Sequence, residues 1–241
     1  MKPVLFLKNI AIEGPGTIIS YLESKNIPNQ ILDLSTGDPL PENPNHWGAV
    51  VVLGGPMNVD EEERFSYLRQ EKQFIRQCLD QKIPFLGLCL GSQLLAAAAG
   101  ASVCKNEYSE IGWMEVELTQ EGKKCELFDG LPSTLAVFQW HGDTFDIPAG
   151  SPHLAKSALC RHQAFQVGDK AFGLQFHLEV GIEDIANWGR EYLHLMNNAE
   201  EIKIVRNLLE NPDLAKAEQV QKTALRLCGN FFARVAGYGR S

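Results

Sequence analysis

Short apolar segments and amphipathic segments alternate along the first hundred residues. The apolar segments are 4–7, 30–33, 49–53 and 85–88. A continuous run of β-branched and aliphatic residues such as 49–53 is typical of a strand buried on both faces of a parallel sheet. Apolar residues recur at helical spacing over 61–81, and an Ala/Leu-rich run over 92–99 ends at Gly100. This alternation predicts an α/β fold, with an open, mostly parallel sheet and helices on both faces.

The pattern changes beyond residue 100. Segments 113–118 and 135–140 have the character of strands, and Gly168-Asp169 separates two apolar runs as the turn of a β-hairpin does. These features predict a small antiparallel β insertion. Beyond residue 180 the pattern is helical, and Asn211-Pro212-Asp213 has the form of a helix start, with an Asn cap and Pro in the first turn.

The length of the chain favours one large domain, because 241 residues can bury one sizeable core. We predict a main domain over residues 1–195 and a helical C-terminal extension over 196–241 that packs on the same domain. One apolar stripe follows the last helix, through Leu214, Ala217, Val220, Ala224, Leu227, Phe231 and Val235. Most amphipathic helices bury such a stripe within their own domain, and a partner-binding or dimer face is the alternative.

Charge and cysteine content narrow the class of protein. A formal net charge of −8 disfavours binding to nucleic acid or to an anionic membrane, because phosphate groups need a basic surface. No run approaches the ~18 apolar residues of a membrane span. Six scattered cysteines, without CxxC spacing or a secretion signal, predict a reduced, cytoplasmic protein without disulfides or structural zinc. We expect no cofactor and no metal.

Cys89 lies in the sequence GLCLG, directly after the apolar run 85–88. Glycines on both sides of the cysteine allow a tight strand-to-helix turn, which presents a nucleophile at the carboxyl edge of an α/β sheet. The N-terminus of the following helix favours the thiolate form. The alternative is a cysteine buried in a glycine-rich packing turn, since free cysteine is among the most buried residue types.

A cysteine nucleophile needs a base with an orienting partner, and His177 and Glu179 can supply both. They lie two residues apart in GLQFHLE, at the end of an apolar strand, and therefore share one face of an extended segment. A carboxylate there fixes the imidazole tautomer and stabilises its protonated form. The alternative for this pair is a solvated strand end.

An acyl-transfer site also needs donors for the developing oxyanion. Gly54-Gly55-Pro56 follows the apolar run 49–53 and offers backbone N–H groups that no Cβ obstructs. We predict that the N–H groups of Gly55 and Leu90 form this oxyanion hole. The alternative for the glycine pair is a plain turn.

Together, these segments resemble the class I (triad) glutamine amidotransferases. The resemblance is carried by GGP at 54–56, GLCLGSQ at 87–93 and QFHLE at 175–179, and QWHGDTF at 139–145 is similar to the subgroup near the amidotransferase domain of GMP synthase. It spans about residues 40 to 180. The resemblance implies a flavodoxin-like α/β fold and a Cys89–His177–Glu179 triad.

The resemblance also implies positions that hold the substrate. Gln93, one turn into the helix after Cys89, is similar to the family glutamine that helps to hold the substrate. Gly142 and Asp143 lie in the loop that meets the α-amino and α-carboxyl groups, and a carboxylate at 143 can pair with an ammonium. His141 and Asp143 alone are too few ligands for a metal site.

The implied reaction is hydrolysis of the γ-amide of glutamine, through a γ-glutamyl thioester on Cys89, with release of ammonia. The resemblance implies a free-standing member of the family, because the sequence has no nucleotide-binding motif of a synthetase. A free-standing member of this kind could deliver the ammonia to a synthetase partner in trans, or it could hydrolyse its substrate alone. Two alternatives stay open at this point, a γ-glutamyl peptidase acting on other γ-glutamyl compounds and a non-catalytic binding or regulatory subunit.

Overall fold

A single nine-stranded sheet runs through the computed structural model, which describes residues 1–239. The strands are β1 Val4–Lys8, β2 Asn29–Asp33, β3 Ala49–Val52, β4 Phe85–Leu88, β5 Val103–Leu118, β6 Thr134–Phe145, β7 His153–Lys156, β8 Ala164–Val167 and β9 Ala171–Leu174. Their order across the sheet is β2-β1-β3-β4-β9-β8-β7-β5-β6. β2, β1, β3, β4 and β9 are parallel, and β8, β7, β5 and β6 continue the sheet antiparallel.

Helices cover both faces of the parallel part, which confirms the predicted α/β architecture. The helices are α1 Gly16–Ser24, α2 Tyr67–Asp80, α3 Leu90–Ala98, α4 Ile182–Tyr192, α5 Ala199–Glu210 and α6 Leu214–Cys228, with a π-helical segment over Gly229–Val235. α1 and α6 cover one face of the parallel part and α2 and α3 the other, whereas α4 and α5 pack against each other and against the antiparallel part. Successive residues of β1 enter opposite cores. Phe6 packs with α1 and α6, whereas Leu5 packs with α2 and α3. The antiparallel strands extend the main sheet and do not form a separate layer.

The C-terminal helix lies against the same core as the sheet. Phe231 and Phe232 are 0 % exposed, and the ring of Phe231 meets that of Phe172 on β9 at 6.4 Å. The side chain of Asp213 caps α6 by accepting a hydrogen bond from the Lys216 N–H. The prediction of Asn211 as the cap is therefore wrong. Asn211 instead follows the end of α5. The boundary between residues 195 and 196 stays a prediction.

The sheet places four loops along one edge. β1, β3, β4 and β9 are parallel neighbours in the sheet order, so the segments after their carboxyl ends meet there. These segments contain Glu13, Gly54-Gly55, Cys89 and His177 respectively. Ligands bind in α/β proteins at this edge of the sheet. Within residues 1–239, none of the helices is long and apolar enough to cross a membrane.

Glu71 is a buried carboxyl on α2, and we expect it to make stability depend on pH. Burial raises the pKa of Glu71 to about 8. In the unfolded chain the carboxyl group loses its proton near its ordinary pKa of 4.5, whereas in the folded chain it keeps the proton until about pH 8. Folding stability should fall as pH rises through this window, because the unfolded state binds fewer protons there.

Glu71→Gln removes this titration, so its stability should depend less on pH than that of the wild type. Relative to the wild type, the variant should gain roughly 2–4 kcal/mol between pH 5 and pH 8.5. Urea unfolding at the two pH values measures the difference. Glu63→Gln, an exposed position just before α2, is the matched control and should follow the wild type. If the difference in unfolding free energy between Glu71→Gln and the wild type were the same at both pH values, the raised pKa of Glu71 would be refuted.

Candidate active site

The turn between β4 and α3 holds Cys89 in a conformation that non-glycine residues rarely adopt. Its φ is 49° and its ψ is −110°, and its N–H donates to the carbonyl of Leu174 on β9 at 2.8 Å. A Cβ at Gly87 would collide with the carbonyl of Gly91, and one at Gly91 would collide with the carbonyl of Val52. Strained backbone of this kind is concentrated at functional sites. The glycines are therefore required for β4 and α3 to meet at so sharp an angle.

His177 follows β9 and is held by its backbone and by its ring. Its N–H and C=O exchange hydrogen bonds with Phe138 on β6, at 2.8 and 3.1 Å. Its Nδ1 lies 2.7 Å from Oε1 of Glu179, whose Oε2 accepts the N–H of Leu178 at 3.0 Å. Because a carboxylate oxygen accepts hydrogen bonds, Nδ1 of His177 carries the proton that it donates to Glu179. Nε2 is then the unprotonated, basic nitrogen of the neutral ring.

Cys89 and His177 meet beside Gly54. A Cβ built on Gly54 would lie 3.2 Å from Cε1 of His177 and 3.6 Å from Cβ of Cys89. Both residues are almost fully buried, with exposures of 6 % for Cys89 and 1 % for His177. Burial alone would lower the pKa of the His177 imidazole, but Glu179 and Cys89 raise it well above its usual value. The pair is therefore suited to proton transfer.

A cavity of about 460 Å³ opens above this pair. That volume lies within the ~300–1,000 Å³ of small-molecule sites. Its lining includes every predicted site residue except Glu179 and Leu90, namely Cys89, His177, Gly55, Gln93, Gly142 and Asp143. Glu179 lies behind His177, and Leu90 is the first residue of α3, with its side chain buried. A Cβ on Gly55 would lie 3.1 Å from Cδ2 of Leu90, so the two residues predicted to supply the oxyanion hole are neighbours.

Gln93 and Gln175 form a hydrogen-bonded chain under the cavity. The Nε2 of Gln93 donates to Oε1 of Gln175 at 3.1 Å and to the carbonyl of Asp143 at 3.4 Å. The Nε2 of Gln175 points at Sγ of Cys89, at 3.7 Å. Gln175 had no role assigned from sequence. The sequence feature that could have indicated a role is the presence of an amide side chain in an otherwise apolar run, because a buried polar group needs a hydrogen-bond partner.

The Asp143 carboxylate forms an ion pair with Lys105 on the neighbouring strand β5. The Lys105 Nζ lies 3.0 Å from Oδ1 of Asp143, and both side chains line the cavity. Lys105 is largely exposed, so this pair can open when a ligand arrives. The two charges lie side by side at the wall that Gly142 also lines. Together they present a cation and an anion to a zwitterionic ligand.

His141 belongs to a buried polar network that holds this wall in place. Its Nε2 lies 2.9 Å from Oε2 of Glu110, and its Nδ1 lies 2.8 Å from the carbonyl of Asp143. Glu110 also accepts from Ser157 at 2.7 Å and from Gln163. Glu110-x-Gly112 had no assigned role from sequence, and the structure joins Glu110 to His141 on β6. Gly142 and Asp143 lie in the same strand, so the prediction that they form a loop is wrong.

Glu110, His141 and Cys160 are the ligand-type side chains that lie close together in the described part of the chain. Their donor atoms are within 4.8 Å of one another. Both ring nitrogens of His141 are already engaged, Nε2 with Glu110 and Nδ1 with the carbonyl of Asp143, so a metal ion would have to displace one of these bonds. A carboxylate that already accepts from three side chains is a satisfied structural group. We therefore assign this cluster to positioning the end of β6 that carries Gly142 and Asp143.

Glu13, Trp188 and Tyr192 also line the cavity and were not predicted as site residues. Glu13 follows β1, lines the cavity and accepts a hydrogen bond from the Tyr192 hydroxyl at 2.8 Å. Burial raises the pKa of Glu13 to about 7, against the opposing effects of His177 and Tyr192. Trp188 and Tyr192, both on α4, also line the cavity. In the sequence, Glu13 lies in a glycine–proline turn at the carboxyl end of a predicted parallel strand. That position could have indicated that Glu13 belongs to the site.

Comparison with known proteins places this geometry in a family. The model of the family described as glutamine amidotransferase class-I matches residues 16–187. The chain belongs to the class I glutamine amidotransferases. This result confirms the resemblance found from the motifs, and it identifies the protein as an amidotransferase-type enzyme.

Three relatives show how far the similarity of this amidotransferase extends. A glutamine amidotransferase-like protein, YfeJ, of Salmonella typhimurium is 29 % identical over 210 residues, which cover 86 % of this chain and 88 % of YfeJ. A glutamine-hydrolyzing GMP synthase subunit of Thermoplasma acidophilum is 33 % identical over 161 residues, which cover 66 % of this chain and 72 % of that relative. The crystal structure of a glutamine amidotransferase from Thermotoga maritima superposes with a TM-score of 0.84, at 37 % identity and 98 % coverage of both chains.

Proposed function

We propose that this amidotransferase hydrolyses the γ-amide of glutamine through a γ-glutamyl thioester on Cys89, with His177 and Glu179 completing a catalytic triad. The observation that carries the proposal is the 2.7 Å contact from Nδ1 of His177 to Glu179, made by a histidine that lies beside Cys89 at the base of a cavity. A base held in one tautomer next to an elbow cysteine is what nucleophilic catalysis needs.

The first half-reaction forms the thioester. Nε2 of His177 takes the proton from the Cys89 thiol, and Sγ forms a bond to the γ-carbonyl carbon. The N–H groups of Gly55 and Leu90 stabilise the negative charge that develops on the carbonyl oxygen. The protonated His177 then gives its proton to the amide nitrogen as the C–N bond breaks, and ammonia leaves. The raised pKa of His177 favours the imidazolium that this step requires.

Hydrolysis of the thioester completes the cycle. His177 takes a proton from a water molecule, whose oxygen attacks the thioester carbon. The C–S bond breaks, glutamate leaves, and the thiolate of Cys89 recovers the proton from His177. Glu179 stays ionised throughout and orients the ring. The buried amide of Gln175 contacts Sγ of Cys89 through Nε2, at 3.7 Å.

The Asp143–Lys105 pair fits the two charges at the α-carbon of the substrate. We propose that the carboxylate of Asp143 binds the α-ammonium and that Lys105 binds the α-carboxylate, with Gln93 and Gly142 completing the wall. Oδ1 of Asp143 lies 3.0 Å from Nζ of Lys105 but is buried without a hydrogen-bond partner, so a bound zwitterion would supply one. The chemistry at Cys89 does not involve these charges directly.

Asp143→Asn should therefore weaken binding more than turnover. We expect KM for glutamine to rise about 10- to 100-fold, since charge-assisted hydrogen bonds are worth roughly 1.5–3 kcal/mol, while kcat changes less than about threefold. Steady-state ammonia release gives both constants. Asp146→Asn, just beyond the end of β6, is the control and should keep the wild-type KM. A fall in kcat at unchanged KM would argue against this role.

We propose that the protein turns over without a synthetase in trans. An exposed apolar patch around Phe231 and Phe232 would have indicated a docking face for a partner. Both side chains are instead 0 % exposed. The Thermoplasma relative, whose name describes one subunit of GMP synthase, is the reason to test the alternative. Purified protein should release ammonia and glutamate from glutamine without ATP. Failure to hydrolyse any γ-glutamyl compound alone, with activity restored by a co-purifying synthetase, would reverse this preference.

The test of the proposed function is the formation of glutamate in a matched pair of proteins. Wild type and Cys89→Ala are incubated with glutamine, and glutamate is measured by mass spectrometry. The proposal expects glutamate with the wild type and none above background with the variant. No turnover by the wild type, over glutamine and a panel of γ-glutamyl amides, would instead support a binding or regulatory role.

A further inference from the structure

The cavity extends well beyond the space that a γ-glutamyl group needs. Its volume is about 460 Å³. The lining continues past Cys89 and His177 to residues of α4 and of the segment before α5. These are Trp188, Tyr192, Leu195, Met196 and Asn197. A substrate limited to glutamine would leave that end of the cavity empty.

The position of His177 decides which part of a substrate lies at that end. His177 must give its proton to the leaving nitrogen, so the leaving group lies against its ring. The indole of Trp188 meets that ring at 5.0 Å between centroids, at an angle of 70°. The acyl part of the substrate lies on the other side, toward Gln93 and Asp143. The leaving group is therefore the part of the substrate that faces α4.

Three aromatic side chains form the wall at this end. The ring of Trp140 lies 6.2 Å from that of Trp188 and 5.9 Å from that of Tyr192, both in edge-to-face geometry. Trp140 points toward α4, whereas His141, the next residue of β6, bonds Glu110 on the neighbouring strand β5. We name this surface, formed by Trp140, Trp188 and Tyr192, the aromatic wall.

Glu13 gives the same end of the cavity one polar group. Its Oε1 accepts from Tyr192, and its Oε2 lies so close to Gly54 that a Cβ there would collide with it. Gly54 is also the point at which Cys89 and His177 meet. An N–H at the scissile amide therefore has an acceptor within reach. The remainder of the leaving group faces mainly the side chains of Trp140, Trp188 and Tyr192, although the lining also includes the polar side chains of Asn197 and Glu201.

From this geometry we infer that the preferred substrates are γ-glutamyl amides of an amine that carries an aromatic substituent, which the aromatic wall binds. This inference rests on the proposed thioester reaction and adds the class of leaving group. The released product is then a primary arylalkylamine in place of ammonia. Atoms balance as in the hydrolysis of glutamine, with one water consumed and the proton from His177 placed on the amine nitrogen.

A series of three substrates tests the inference. L-Glutamine releases ammonia, γ-L-glutamyl methylamide releases a small amine, and γ-L-glutamyl benzylamide releases an aromatic one. We expect kcat/KM for the benzylamide to exceed that for the methylamide by about tenfold or more, the size of one or two aromatic contacts. Equal or lower kcat/KM for the benzylamide would overturn the inference.

Variants of two tryptophans locate the effect. Trp140→Leu should reduce the benzylamide-to-methylamide ratio to near one, and Trp140→Phe, which keeps an aromatic face, should retain much of it. Trp113→Leu is the matched control, because Trp113 is half-buried and packs on Phe138 at 5.1 Å without lining the cavity. The control should keep the wild-type ratio. A ratio that Trp140→Leu leaves unchanged would contradict the role of the wall.

Binding to Cys89→Ala separates failure of the inference from failure of the proposed function. Calorimetry should show tighter binding of the benzylamide than of the methylamide to this variant, without turnover. Cys89-dependent hydrolysis of glutamine together with no preference for the benzylamide would refute the inference alone. Absence of both hydrolysis by wild type and binding by Cys89→Ala, for all three compounds, would refute both.

Discussion

Cys89→Ala should reduce hydrolysis of glutamine by at least about 10⁴-fold, because no other group near the γ-carbonyl can form the covalent intermediate. The alanine retains the Cβ at the elbow but removes Sγ, which Gln175 contacts and which His177 would activate in the proposed mechanism. Folding should be preserved, since a Cβ is already accommodated at this position. Ammonia release at saturating glutamine, with a circular dichroism spectrum for each protein, measures the effect.

Labelling separates reactivity at Cys89 from simple access. Cys104 is the exposed cysteine among the residues described, whereas Cys89 is 6 % exposed. A small neutral alkylating agent without the γ-glutamyl group should therefore modify Cys104 readily. A glutamine-derived chloromethyl ketone should modify Cys89 first, and Cys104→Ala should leave that reaction unchanged. Modification of Cys104 ahead of Cys89 by the glutamine-derived reagent would count against the nucleophile assignment.

His177→Ala should approach the loss seen for Cys89→Ala, about 10³- to 10⁴-fold in kcat/KM, because base and nucleophile act as one unit. The double variant should be no worse than the poorer of the two single variants. Additive losses in the double variant would show that His177 and Cys89 act independently. His46→Ala, an exposed histidine in the loop before β3, is the control and should retain wild-type kinetics.

Glu179→Gln tests the orienting carboxylate separately from the base. The amide keeps the shape of the side chain but removes the charge that raises the pKa of His177. We expect about a tenfold loss in kcat, with KM little changed, and a lower pKa for the imidazole in a pH titration. The same kcat and the same imidazole pKa as the wild type would contradict the role of Glu179.

Much of the fold was predictable because local patterns and tertiary packing agree in the parallel part of the sheet. The run Ala49–Val52 is buried on both faces, and the glycines around Cys89 are required by contacts with Val52 and with each other. The cap at Asp213 was mispredicted for a local reason. Asn211 and Asp213 are both good caps, and the choice between them depends on where α5 ends.

The motifs of the proposed triad could be found from sequence because each residue lies at the end of a recognisable strand. The rest of the site depends on pairings between distant segments. Gln175 reaches Cys89, and Tyr192 reaches Glu13, only after β4 and β9 align and α4 folds over the sheet edge. Lys105 and Asp143 become partners through the register of β5 and β6. Spacing along the chain contains no signal for such contacts.

The central claim is that Cys89 carries the γ-glutamyl group during turnover, and a trapped intermediate tests it most directly. Wild-type protein is mixed with glutamine, quenched in acid during steady state, digested, and its peptides are examined by mass spectrometry. The account predicts a γ-glutamyl adduct on the peptide that contains Cys89, absent from Cys89→Ala and discharged by hydroxylamine. Glutamate formed at the wild-type rate without any adduct at Cys89, or with the adduct on another residue, would contradict it.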